Sequence, residues 1–173
     1  METYICINVS DGNVYHYAIQ HEFRAAGQIV RQTDDSGVVP DSVIIPLLFR
    51  LEEGWQTRDQ AERVTLVSWR RISLAEHNLF NADRLYRNAL RDNAGVLAYD
   101  MPTARGLHLA RLRRERDTQL DALDKDWMRA TGQRDNAEAN RIENSRQALR
   151  DMPTRIQPAL DAARDINELQ QVR

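Results

Sequence analysis

Residues 102–132 read PTARGLHLARLRRERDTQLDALDKDWMRATG, and the architecture expected for the C-terminal half follows from this stretch. Pro102 and Thr103 make a favourable helix start, and Gly132 is typical of the position just beyond a helix end. The spacing predicts one long helix over about residues 103–131. Its apolar side chains recur at intervals of three and four residues or their sums, leaving a thin stripe and a charged reverse face. They are Leu109, Leu112, Leu120, Leu123, Trp127 and Ala130.

The residues that follow predict a second helix that folds back on the first. Segment 132–136 is polar and predicts a loop, and residues 136–151 predict a helix with Ile142 and Leu149 on its apolar side. Pro153 is expected to end this helix, because the residue before a proline disfavours the helical conformation. A further helix is expected over about residues 158–172. A short loop between two amphipathic helices favours a helical hairpin or coiled-coil-like extension.

The apolar stripes of these helices are thin, so they need a surface to pack against. That surface is the N-terminal domain, a second copy of the chain or another protein. The sequence does not choose between the three.

Upstream of this region the composition changes near residue 80. Residues 83–92 predict a short helix. Residues 4–9 and 14–19 alternate in polarity and predict two strands, joined by the tight-turn pair Asp11-Gly12.

Further strands are expected over residues 28–32, 43–51 and 64–69, although Pro46 makes the middle one an edge strand or a bend. The polar segment 33–37 predicts a loop. We therefore expect an α+β fold, with a small β-rich docking domain over residues 1–80 and a mainly α-helical region over residues 81–173.

The composition excludes several classes of protein. The 24 basic and 26 acidic residues leave a net charge of −2, which argues against nucleic-acid binding by bulk electrostatics. No apolar run is long enough to span a membrane, and the N-terminus shows no signal-peptide pattern. Cys6 is the single cysteine and is expected to be a buried small residue. All basic residues except Lys125 are arginine, which reflects either genome composition or pairing with carboxylates.

Motifs that carry chemistry are missing from the sequence. No metalloprotease, phosphate-loop, dinucleotide or nucleophile-elbow pattern occurs, so no catalytic, metal-binding or cofactor-binding residue is predicted and the chain is not expected to be an enzyme. Asp121 and Asp124 share a helix face, and a solvated face balanced by arginines explains them better than a metal site. The basic run from Arg111 to Arg116 contains interleaved acids, which favours surface ion pairs over DNA contact.

Four segments, taken in order, resemble one family. They are DRLYRNAL (83–90), LAYDMPTARGLHLARLRRERD (97–117), LDALDKDWMRA (120–130) and ENSRQALRDMP (143–153). Together they are similar to the C-terminal region of small tail-associated proteins of tailed bacteriophages, described as tail-fibre, virion or tail-assembly-chaperone-like proteins. The resemblance covers about residues 83–153, and it implies a setting without implying any chemistry.

The resemblance and the helix pattern together lead to one expectation of function. The chain is expected to be a non-enzymatic structural adaptor of the tail or tail-fibre module, located in the virion or in the host cytoplasm during assembly. Its expected partners are other tail or fibre proteins and a second copy of itself; nucleic acid is not expected as a partner, and no membrane span is predicted. One alternative is a fibre-assembly chaperone that is absent from the mature particle, and another is a small DNA-binding regulator that uses residues 111–116.

The residues expected to contact protein come from the helix stripes and from the resemblance. They are Arg84, Tyr86, Arg87, Arg105, Leu112, Arg113, Arg116, Leu120, Leu123, Trp127, Ile142, Leu149 and Arg150.

Overall fold

A computed structural model describes residues 3–10, 12–19, 22–25, 28–31, 33–34, 37–38, 42 and 66–173. The fold is α+β, as predicted: antiparallel strands come first and long helices follow. The chain divides into two compact units, Met1–Ala98 and Tyr99–Arg173. The division therefore falls later than the expected boundary at residue 80, because residues 83–98 pack with the strands.

A three-stranded antiparallel sheet forms the centre of the first unit. Strand β1 (Thr3–Val9) lies between β2 (Val14–Ile19) and β7 (Leu66–Ile72). Ile5, Cys6 and Ile7 are all buried although neighbouring side chains of a strand point to opposite faces, so both faces of β1 are covered.

The β1–β2 hairpin is confirmed, and the four residues 10–13 separate its strands instead of the expected two. The Gly12 amide donates to the Val9 carbonyl (3.0 Å), and the Val9 amide donates to the Asn13 carbonyl (3.2 Å). Gly12 has a φ of +81°, which glycine adopts at little cost.

Two further strand pairs lie between β2 and β7 in the chain. β3 (Glu22–Ala25) pairs with β4 (Gln28–Arg31), which confirms the strand expected near residue 28. β5 (Thr33–Asp34) pairs with β6 (Gly37–Val38) at the ends of the segment expected to be a loop. The strand expected over residues 43–51 lies outside the described residues.

The short helix expected over residues 83–92 is wrong, and a helix lies just before it. Helix α1 (Leu74–Ala82) begins at Ser73, whose hydroxyl accepts from the Glu76 amide while the Glu76 carboxylate accepts from the Ser73 amide. Asp83 ends the helix in an extended conformation and accepts from the Leu85 amide (2.8 Å). This local side-chain bond competes with helix continuation.

A 3₁₀ turn (Arg87–Ala89) and a second hairpin occupy the rest of that segment. Strand β8 (Leu90–Asn93) pairs with β9 (Val96–Tyr99) through Ala94 and Gly95, which both have positive φ. Two adjacent residues with positive φ match the right-handed twist of a hairpin.

The long helix expected over residues 103–131 is confirmed as α2 (Met101–Gly132). Its N-cap is Asp100, which accepts from the Thr103 amide (3.0 Å). No described helix is long and apolar enough to cross a membrane.

The expected end of the second helix at Pro153 is wrong. Helix α3 (Asn136–Ala162) continues through Pro153 and Pro158. The apolar series continues beyond the first proline with Ile156 and Leu160, and both are buried. Burial of this extra stretch opposes the cost of a proline inside a helix.

The last expected helix, over residues 158–172, is replaced by two elements. Residues up to 162 belong to α3, and a short helix α4 (Ile166–Gln171) follows. Asp165 caps α4 by accepting from the Glu168 amide (2.9 Å). Helices α2 and α3 form the expected hairpin, and α4 packs against α2.

Candidate protein-interaction site

The end of the hairpin where α4 packs has a closed core. His108 and Leu160 are almost completely buried, and Leu169 of α4 is fully buried. A ring nitrogen of His108, Nε2, lies 3.0 Å from the Val172 carbonyl oxygen. Arg105 Nη2 donates to the Ala163 carbonyl (2.7 Å). Both bonds connect α2 to the residues that flank α4.

The middle of the hairpin is more open. Ala130 and Ile142 are buried next to the loop, at 5% and 3% exposure. Between them and the buried Leu112 and Met152, four apolar side chains are only half-buried. These side chains are Leu120, Leu123, Trp127 and Leu149.

One side of this open stretch carries an ion-paired cluster centred on Arg146. Its Nη2 lies 2.7 Å from Asp124 Oδ1 of α2, its Nη1 pairs with Glu143, and its guanidinium carbon lies 5.4 Å from the centre of the Trp127 ring. Arg150 Nη1 also donates to Glu143 (2.7 Å), and this bond, with the charge of Arg146, holds the pKa of Glu143 below its usual value. Arg146 is 16% exposed, so its charge is largely shielded from water, and both of its terminal nitrogens are ion-paired.

The other side of the open stretch is an apolar groove, which we call the α2–α3 groove. Ala148 follows Arg146 by two residues, and each residue of an α-helix advances about 100° around the axis. Ala148 and Arg146 therefore lie on opposite sides of α3, and Ser145 lines the groove together with Ala148. The groove has a volume of about 520 Å³. Its lining residues are Gln119, Ala122, Leu123, Ser145, Ala148, Leu149 and Arg155.

A second cavity, which we call the arginine pocket, continues the α2–α3 groove toward α4. It has a volume of about 470 Å³ and shares Gln119 and Leu149 with the groove. Apolar side chains, Leu112 among them, line it together with polar ones. Its arginines are Arg111, Arg116 and Arg173, and its acidic residue is Glu115.

Most of the basic run between residues 111 and 116 is engaged within the chain. Arg111 pairs with Glu115 (2.8 Å), and Arg116 pairs with Asp117 (2.7 Å). Arg114 Nε donates to the Ala110 carbonyl (3.4 Å). Arg113 is exposed. The run contains two local ion pairs, and it does not present a uniform basic stripe.

The interaction residues expected from the resemblance between residues 83 and 90 belong to the first unit and not to the hairpin. Tyr86 is 1% exposed and forms part of the core of that unit. Arg87 Nε donates to the Phe80 carbonyl (2.9 Å). Arg84 is exposed. Tyr86 therefore belongs to the core of the first unit, which corrects its assignment as a contact residue, and Arg87 bonds to the backbone of that unit.

A partly buried polar network in the described part of the first unit is centred on Arg70. Its Nε donates to both carboxylate oxygens of Asp92 (3.1 Å each), and its Nη2 donates to Glu76 (2.7 Å). Asn8 Nδ2 also donates to Asp92 (3.1 Å). The bond from Arg70 lowers the pKa of Glu76. The network connects β1, β7, β8 and α1, so we assign it a structural role.

Cys6 and His16 pair across β1 and β2, and both are uncharged near neutral pH. Burial, with the nearby Asp92 carboxylate, raises the pKa of the Cys6 thiol to about 12. Burial and the neighbouring His77 ring lower the pKa of His16 to about 4, and His16 Nδ1 lies 3.0 Å from His77 Nδ1. A thiol with so high a pKa is a poor nucleophile. Among the described residues, no group of three or more His, Cys, Asp or Glu side chains is placed to hold a metal ion.

Sequence reasoning missed the residues that distinguish the two sides of the hairpin. Arg146 falls on the apolar face of α3, four residues after Ile142 and three before Leu149. An arginine at such a position signals a partner on the facing helix. Ala122, Ser145 and Ala148 carry no sequence signal of their own, because small residues are ordinary on helix surfaces.

Comparison of the chain with protein-family models, with curated proteins and with solved structures finds no match.

Proposed function

We propose that the chain is a non-enzymatic adaptor that binds another protein through the open stretch of its helical hairpin, in the tail or tail-fibre module of a tailed bacteriophage. The observation that carries the binding role is the half-buried row of Leu120, Leu123 and Leu149. Apolar side chains left half-exposed beside a groove are typical of a protein-binding surface. The phage setting is supported by the resemblance of residues 83–153 alone.

The binding role is consistent with the energetics of the hairpin. Its closed end buries several large side chains, so the helices do not depend on a partner to stay together. The open stretch can therefore contribute its apolar area to association, at about 25 cal/mol for each Å² removed from water before the costs of binding are counted.

The DNA-binding alternative fits the geometry less well. Arg111 and Arg116 are paired with carboxylates of the same helix, and each pair must break before the guanidinium can neutralise a phosphate. The fibre-assembly chaperone uses the same hairpin surface as the adaptor, so the two differ only in whether the chain stays in the particle.

Mass spectrometry of purified particles of the phage that encodes the chain tests the proposal. An adaptor is present in particles, whereas a chaperone is absent from particles and co-purifies with a fibre protein from infected cells. Absence from particles together with no co-purifying tail protein would rule out both roles.

A pair of variants connects this measurement to the hairpin. Leu123→Asp places a charge in the half-buried row and is expected to lower incorporation or co-purification at least about tenfold. Met128→Asp is the matched control, because Met128 is 61% exposed and its substitution leaves the row intact. Equal losses in the two variants would contradict the role of the row.

A further inference from the structure

We propose that the α2–α3 groove binds an acidic amphipathic helix of the partner, with apolar side chains against Leu123 and Leu149 and carboxylates against the arginines of its rim. The inference rests on the proposed protein-binding role and adds the chemistry of the partner.

The site has the dimensions of a short helix. The α2–α3 groove and the arginine pocket form one continuous surface, because they share Gln119 and Leu149. Along α2 this surface extends from Arg111 to Leu123, about 18 Å at the rise of an α-helix. An occupant of about three helical turns covers it.

The lining favours a helix over an extended peptide. Ala122, Ser145 and Ala148 have short side chains, which let another helix approach closely at the usual axial separation of about 8–10 Å. Leu123 and Leu149 lie between them and remain half-exposed. The site offers an apolar floor without any free strand edge, so it corresponds to the helix-in-groove mode of recognition.

The charge of the rim selects an acidic occupant. Four arginines and one glutamate line the two cavities, and that glutamate, Glu115, is already paired with Arg111. Arg155 and Arg173 form no ion pair with any residue that the structure describes. A helix with carboxylates beside its apolar stripe satisfies these two guanidinium groups, whereas a basic helix is repelled.

The same charge argues against a second copy of the chain in this groove. A two-fold interface places the same patch on both sides, so it sets Arg155 and Arg116 of one copy near the same arginines of the other. Like charges in a partly desolvated interface are unfavourable. The occupant is therefore a different surface.

Two synthetic peptides test the inference. Each has about 16 residues, with leucines spaced three and four apart; one carries glutamates beside the leucines and the other carries lysines at the same positions. Fluorescence anisotropy with the full chain is expected to show at least about tenfold tighter binding of the acidic peptide, with affinity falling between about 0.05 and 0.5 M salt.

Variants locate the peptide on the chain. Ala148→Trp fills the groove at an exposed position, and Arg155→Glu reverses one charge of the rim; each is expected to weaken binding of the acidic peptide about tenfold or more. Ala110→Trp is the control, because Ala110 is exposed and lies about two and a half turns from Gln119, on the opposite face of α2. Circular dichroism checks that the variants are folded.

Three results would overturn the inference. They are equal affinity for the two peptides, no binding of either peptide, and a dimer of the unaltered chain that Ala148→Trp dissociates. None of them depends on particle composition. The adaptor role can therefore stand if the peptide experiment fails, and the acidic-helix site can stand if the chain is missing from particles.

Discussion

At the scale of single residues, Arg146 shows how one side chain organises the hairpin. It pairs with Asp124 on the facing helix and Glu143 on its own, and it covers one face of Trp127. A guanidinium can make these contacts together because it is planar and carries five donors in a fixed arrangement. The periodicity of α3 predicts an apolar side chain here, so the sequence marks Arg146 as unusual but does not identify Asp124 and Trp127 as its neighbours.

Arg146→Ala is expected to lower the free energy of unfolding by about 1–2 kcal/mol. The substitution leaves Asp124 without its interhelical partner and uncovers Trp127, which are both partly shielded from water. Urea unfolding followed by circular dichroism measures the change. Arg141→Ala is the control, because Arg141 is 72% exposed and pairs with Glu138 on its own helix, so its loss is expected to change the stability much less than Arg146→Ala does. Equal changes would show that the cluster contributes nothing across the helices.

The His16 side chain makes the first unit sensitive to acid. Its pKa is about 4 in the folded chain, below the ordinary value of 6.5, because of burial first and then the neighbouring His77 and Arg87. The unfolded chain therefore binds a proton at a higher pH than the folded chain does. The stabilisation is complete above about pH 6.5 and is lost as the pH falls toward 4.

Between pH 7 and pH 4.5 this group is expected to remove about 1–2 kcal/mol of stability, after allowance for its partial exposure to solvent. His16→Gln cannot take up the proton, so its stability is expected to change less over the same range. Thermal unfolding of both proteins across the range measures the difference between the two slopes. An equal dependence of stability on pH in the two proteins would mean that folding does not lower the pKa of His16.

At the scale of elements, the two interior prolines of α3 set the limit of local prediction. Pro153 is a sound helix stop by local rules, because it lacks an amide hydrogen and its ring crowds the preceding turn. Ile156 and Leu160 nevertheless continue the buried face beyond it. Local preference predicts the start of α3 correctly, and packing against α2 decides its end.

Pro158→Ala is expected to stabilise the hairpin by about 1–3 kcal/mol. The change restores an amide donor inside α3, and because Pro158 is exposed it removes no buried contact. Thermal unfolding of the full chain measures the shift. Ala159→Gly, at the next exposed position, is the control for helix propensity and should destabilise by about 1 kcal/mol. A lower unfolding temperature for Pro158→Ala would show that the proline ring contributes to packing.

The incorrect prediction of a helix over residues 83–92 has a different cause. This segment contains good helix formers, but Asp83 bonds to the Leu85 amide, and Ala94-Gly95 supplies a two-residue hairpin turn. The capping pair Ser73 and Glu76 was readable in the sequence and marks the true helix. Cap and turn signals were therefore more informative here than composition.

At the scale of the whole molecule, the chain consists of two units with separate cores. Ile5, Ile7 and Phe80 are buried in the first unit, and Leu160 and Leu169 are buried in the second. The α+β class and the hairpin could be read from periodicity. The boundary between the two units could not be read from periodicity, because it depends on the β8–β9 pair, whose strands are short and weakly patterned.

A fragment of residues 99–173 is expected to fold on its own. It retains the N-cap Asp100, both long helices and α4, and the ion pairs of Arg146 lie within it. Circular dichroism is expected to show a helical spectrum and cooperative thermal unfolding. A disordered spectrum would contradict the division into two units.

Two core substitutions extend this prediction to the full chain. Leu160→Ala removes a buried side chain of the second unit and is expected to cost about 2–5 kcal/mol in the fragment and in the full chain alike. Ile7→Ala, of similar expected cost, changes only the core of the first unit. Because the two side chains belong to separate compact units, hydrogen exchange should show faster exchange in α2 and α3 for Leu160→Ala alone. Faster exchange in those helices for Ile7→Ala would mean that the two cores unfold as one cooperative unit.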